Sequence, residues 1–163
     1  MSNLQLNQLQ VTKTSRVIRK PVADVFEAFV NPDITSKFWF TKSSGRLEAG
    51  KQVRWDWEKQ GISIPVTAKA IEPNKRIVLE WPGHTIPTTV EWRFAPQKDG
   101  TTFVSIMCAD FIGDMDELVK QVTGLTQGFC LVLSGLKALL EHNVKLNLVA
   151  NRHPGSIEED FPA

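Results

Sequence analysis

The sequence predicts an α+β domain in which a curved antiparallel sheet wraps a long C-terminal helix, with two short helices beside them. Three observations carry this. From residue 45 to 111 apolar residues recur with period two between turn signals, the pattern of half-buried strands. From residue 114 to 143 they recur at steps of three and four, the pattern of one helix face. The length of 163 residues, with 42% hydrophobic and 23% charged side chains, fits one ordinary domain with a sizeable core.

The elements follow in order. Gln10 to Arg19 has the β-branched content of a first strand. Pro21 suits a first helical turn, and Val22, Val25, Phe26, Phe29 and Val30 follow at the spacing of one helix face. Asn31-Pro32 stops that helix and starts a second short one through Ile34 to Phe38, ending at Phe38-Trp39-Phe40. In KQVRWDWE, Val53, Trp55 and Trp57 take one face while Arg54, Asp56 and Glu58 take the other. Further strands are expected over Ile62 to Ile71, over Ile77 to Trp81, over TTVEWRFA and over Thr101 to Phe111, joined by short turns as an antiparallel meander.

Asp114 and Glu117 form an Asp-x-x-Glu capping box, so a helix begins there. Leu118, Val122, Leu125, Phe129, Val132, Leu136 and Leu140 draw its apolar stripe to about His142-Asn143. Gly124, Gly128 and Gly135 each weaken a helix by about 1 kcal/mol relative to alanine, which predicts an irregular first half and a firmer second half. Residues 10–150 then form the single domain, with 1–9 and 151–163 as loose termini.

Composition narrows the function. A formal charge of +1 supplies no global field for nucleic acid or an anionic membrane. No continuous apolar run approaches the roughly 20 residues of a bilayer crossing, and the N-terminus lacks a secretory pattern, so a cytoplasmic protein is expected. Cys108 and Cys130 sit in apolar segments without metal-ligand spacing and read as buried thiols. No phosphate loop, zinc pair or nucleophile elbow occurs, so neither a metal nor another cofactor is expected. Five Trp and nine Phe with no Tyr suit a dry wall.

Three stretches carry a resemblance. PVADVFEAFVNPDITSKFWF resembles the opening of the activator of heat-shock-protein ATPase homologue-like branch of the SRPBCC superfamily, where a proline-led helix ends near a tryptophan-rich triplet. AIEPNKRIVLEW is similar to that family's strand, Pro-containing turn and strand with a terminal Trp, and GFCLVLSGLKALLEHN to its closing helix. Two positions depart: Phe129 stands where the family commonly has Trp, and Glu48-Ala49-Gly50 where a Gly-Gly pair is frequent. The resemblance implies a helix-grip, or START-like, fold. It also implies a superfamily whose members variously bind lipids, polyketides or hormones, cyclise polyketides, or contact a chaperone, so it does not select one function.

A curved sheet and a straight helix cannot meet along their whole length, so large side chains or a ligand must fill the gap. Trp55, Trp57, Leu79, Trp81, Val90, Trp92 and Phe94 are the wall candidates from the sheet, and Phe129, Val132, Leu133 and Leu136 those from the helix. Trp39 and Phe40 are the candidates for the mouth. Each alone is better read as plain core packing, and the functional reading rests on the set together with the small residues Ala68, Ala70, Gly128 and Gly135. His84, near Glu80 after a strand end, reads first as a solvated turn histidine and is otherwise the candidate to orient a ligand or act as a base. Glu80, Glu91, Arg93 and Asp110 read as cross-strand pairs on the outer face.

The favoured expectation is a non-catalytic binder of a small hydrophobic molecule, such as a lipid, polyketide or aromatic metabolite. The alternatives are a cyclase- or hydrolase-type enzyme using His84 or an inward carboxylate, and an interaction module contacting a chaperone. A homodimer suits the fold.

Overall fold

Period-two patterning resolves into seven strands, and period 3.6 into three helices, in a computed structural model that describes residues 12–83, 86–109 and 111–154. The strands are β1 (Thr12–Ile18), β2 (Lys42–Ser43), β3 (Gln52–Trp57), β4 (Ile62–Glu72), β5 (Arg76–Trp81), β6 (Thr88–Pro96) and β7 (Thr102–Ala109). The helices are α1 (Val22–Val30), α2 (Pro32–Thr35) and α3 (Met115–His142), with a 3-10 turn at Glu58–Gln60. Every strand pair is antiparallel, in the spatial order β1-β7-β6-β5-β4-β3-β2. The meander therefore runs from β2 to β7, and β1 closes the far edge beside β7.

The alternation works as the sequence predicts. Val53 opposes Val66, Trp55 opposes Ile64 and Trp57 opposes Ile62, so apolar partners meet on one face of β3 and β4. The outer face holds the paired charges: Arg76 and Arg93 both reach Glu91, at 2.7 and 2.9 Å, and Lys69 lies 3.7 Å from Glu80. Asp110 falls outside the described residues. A register shift between Ala68 and Ala70 bends β4 and adds to the curvature of the sheet.

Helix α3 starts on the expected capping box, in which Glu117 N–H donates to Asp114 Oδ1 and Asp114 N–H donates to Glu117 Oε2, each at 2.9 Å. It ends at Asn143, whose left-handed φ of 52° a β-branched residue would resist. Its C-terminal end is latched to β1. Glu141, with a side chain only 3% exposed, accepts from Arg19 Nε at 2.8 Å and from Lys137 Nζ at 2.6 Å, and Lys137 Nζ also donates to Val17 O.

Several expectations are corrected. The second helix is shorter than Ile34 to Phe38, because Asn31 caps it through Asp33 N–H and the chain turns off after Thr35 to deliver Trp39 inward. The two-residue strand β2 was too short to carry a periodic signal. The first half of α3 is not broken: the helix runs unbroken through Gly124, Gly128 and Gly135, since its capping box and packing outweigh their propensity cost. By length and composition α3 is also apolar enough to cross a membrane, with a mean hydropathy of 1.3 over its best 18-residue window. Here that stripe is the core that the sheet grips.

The loose tail does not begin at Asn151. Residues 148–151 form a turn, with Asn151 N–H donating to Asn147 O at 2.9 Å, and His153 is buried. The polar contacts of Arg152, described below, hold this return segment against α3.

Candidate ligand site between the sheet and helix α3

Burial changes along α3. Leu118, Val122 and Leu125 are only partly buried, whereas Phe129, Val132, Leu133, Leu136 and Leu139 are buried. The first half of α3 is thus less buried than the second. Gly135 sits at the packed end, where a β-carbon would lie 3.3 Å from Phe38 Cβ, so its smallness serves close approach. Gly128 sits at the open end and lines a cavity of about 290 Å³.

The same gradient runs along the strands. Val53, Val66, Ala68, Ile77 and Leu79 are buried in solid core, while Trp57, Ile62, Ile64 and Trp81, nearer one end of the same face, line the cavity. Trp39 is the partition between the two regions. Its ring centroid lies 4.9 Å from Trp55 and 5.5 Å from Trp92 on the solid side. On the cavity side it lies 6.2 Å from Trp81 and 6.3 Å from Phe129, which are themselves 6.2 Å apart. Three rings in mutual contact thus form an aromatic corner, with contacts each worth about 1 kcal/mol beyond area burial.

The wall candidates therefore divide. Trp39, Trp57, Trp81 and Phe129 line the cavity, together with Val132. Phe40, Trp55, Leu79, Val90, Trp92, Phe94, Leu133 and Leu136 are buried in the packed core and do not line it. The reason is that other side chains fill the space around them: Trp92 and Phe94 pack on Phe29 of α1, Phe94 also on Phe26, and Phe40 stacks on Trp55. His84 lies outside the described residues. Glu80 and Glu91 carry their charge pairs on the outer face, so neither is an inward carboxylate.

Sequence reasoning missed the rest of the lining. Ile62 and Ile64 share the inward face of β4 and were readable from alternation; Gly124, Leu125 and Leu131 lie on α3. Gln60, Val149, Arg152 and His153 come from the 3-10 turn and the return segment, where no periodicity exists to place them. They form the polar end of an otherwise apolar space. Gln60 Nε2 donates to Ala150 O at 3.3 Å, joining the turn to the return segment, and Gln60 Oε1 is buried without a partner. Arg152 Nη2 donates to Gly124 O at 3.1 Å and to Gln127 Oε1 at 3.0 Å, and burial lowers the pKa of its guanidinium.

A curved antiparallel sheet gripping a long C-terminal helix, with oily space left at one end, defines a helix-grip domain. The chain belongs to the Activator of Hsp90 ATPase homolog 1-like protein family, whose model matches residues 19–141. It is similar to the crystal structure of SSP2350 from Staphylococcus saprophyticus at 31% identity and a TM-score of 0.71, covering 83% of this chain and 95% of that one. The fold is shared with DynU16, a putative protein in the dynemicin biosynthetic locus, at 19% identity and a TM-score of 0.73, over 83% of this chain and 49% of that one. It is shared too with the Aha1 dimer from Colwellia psychrerythraea, at 17% identity and a TM-score of 0.70, over 81% and 96% of the two chains. No curated protein matches the chain. The family assignment and the helix-grip fold thus agree with the resemblance carried by the three sequence stretches.

Proposed function

We propose that the protein binds a small hydrophobic molecule in the cavity between the middle of α3, from Gly124 to Val132, and the ends of β3, β4 and β5. One observation carries this reading: the space of about 290 Å³ is walled by Trp39, Trp57, Trp81 and Phe129 at the point where the aromatic packing of the core stops. A cavity of 150 Å³ with apolar walls accommodates benzene, so this one takes a body of roughly two rings or an equivalent chain. The fold shared with DynU16, a putative protein in the dynemicin biosynthetic locus, is consistent with such a ligand.

Three of the five tryptophans are in the cavity wall, which makes the protein its own reporter. Titration with naphthalene-sized aromatics and medium-chain lipids is expected to change Trp emission saturably. The same titration of Gly128→Leu, which places a side chain in the space, is expected to show no such change. Indifference of the native chain to the whole panel sinks the proposal.

A further inference from the structure

The polar end of the cavity is cationic and incomplete. Arg152 lines it with a guanidinium whose Nη2 is spent on two neutral oxygens, Gly124 O and Gln127 Oε1, while its Nε is buried without any hydrogen-bond partner. Among the described residues no carboxylate pairs with Arg152, although Arg19, Arg46, Arg54, Arg76 and Arg93 each have one. A partly desolvated charge with neither a counter-ion nor a full set of acceptors is unfavourable in the empty site. Across the same end, Gln60 Oε1 is a buried acceptor without a donor.

We infer that the molecule held in this cavity is an amphipathic carboxylic acid, its carboxylate on Arg152 and its apolar body in the corner formed by Trp39, Trp81 and Phe129. A carboxylate is planar and accepts in-plane N–H donors, which matches a guanidinium fork better than a single neutral carbonyl does. Arg152 lies in the return segment, beyond the 19–141 span matched by the family model.

This inference rests on the cavity being the ligand site, and the test separates the two. Calorimetric titrations at pH 7 compare 2-naphthaleneacetic acid with 2-naphthaleneacetamide, which keeps the body and removes the charge. A charge-assisted pair contributes about 1.5–3 kcal/mol, so the acid is expected to bind about tenfold or more tighter. Arg152→Gln, confirmed as folded by thermal melting, is expected to abolish that advantage and leave amide affinity within about twofold. Arg152→Lys keeps part of it. Equal binding of acid and amide by the native chain, or equal weakening of both by Arg152→Gln, overturns the acid assignment while leaving the cavity as a binding site. Binding of neither probe removes both readings.

Discussion

The indole of Trp39 lies 4.9 Å from that of Trp55, at an interplanar angle of 59°, and this contact marks where packed core gives way to open cavity. Trp39→Ala deletes the partition, so the cavity extends into the core and stability falls by about 3–5 kcal/mol in urea unfolding. Trp57→Ala, at the half-buried cavity wall, costs less than half of that. Equal losses from the two substitutions would show that no partition exists.

Phe38 and Gly135 set the closest approach of α3 to the rest of the domain. Alanine at 135 gains about 1 kcal/mol of helix propensity, yet its β-carbon would meet Phe38 Cβ at 3.3 Å and Phe38 O at 3.4 Å. Valine adds two further carbons, and Gly135→Val is expected to destabilise by roughly 2 kcal/mol or more. Gly128→Ala meets only the flexible end of Arg152, at 3.0 Å, and is expected to be neutral or stabilising. Thermal melts of the two variants distinguish a packing glycine from a cavity glycine.

The charge latch gives the domain an acid-sensitive joint. Burial alone would raise the pKa of Glu141, but hydrogen bonds from Lys137 and from the backbone and side chain of Arg19 overcome it and hold the carboxyl at about 2, below its ordinary 4.5. A carboxyl depressed on folding stabilises the native state above its unfolded pKa. The contribution, on the order of 2–3 kcal/mol, is therefore complete above about pH 5 and lost as pH falls through 4.5 toward 2. Glu141→Gln is expected to lower stability at pH 7 and to flatten the stability profile between pH 5 and 2. An unchanged acid limb in that variant would place the titration elsewhere.

Asp114→Ala removes one half of the capping box and is expected to cost about 1 kcal/mol. Because the adjoining turns of α3 are only partly buried, the loss falls on the cavity wall. Amide exchange of residues 118–125 should rise while residues 132–139 stay protected.

Most of the fold was legible because it is written in periods. Alternation placed β3 to β7, the stripe from Leu118 to Leu140 placed α3, and Asp114 with Glu117 fixed its start. Alternation tells which side a residue faces, not how far along the strand the helix departs from the sheet. Trp55 and Trp57 are thus indistinguishable in sequence, yet the first is buried core and the second is cavity wall. Arg152 and Gln60 were out of reach for another reason. Their places are set by turns after the helix and between strands, where local chemistry, not periodicity, decides the path.

The ladder of strands and the gripped helix supply cohesion, whereas the charged group at the end of the cavity hangs on turns that belong to neither. Val149, Arg152 and His153 thus line the cavity from a segment outside both the strand ladder and the gripped helix. Changes at a few positions after the last helix would alter one end of the chamber while leaving the aromatic corner of Trp39, Trp81 and Phe129 in place.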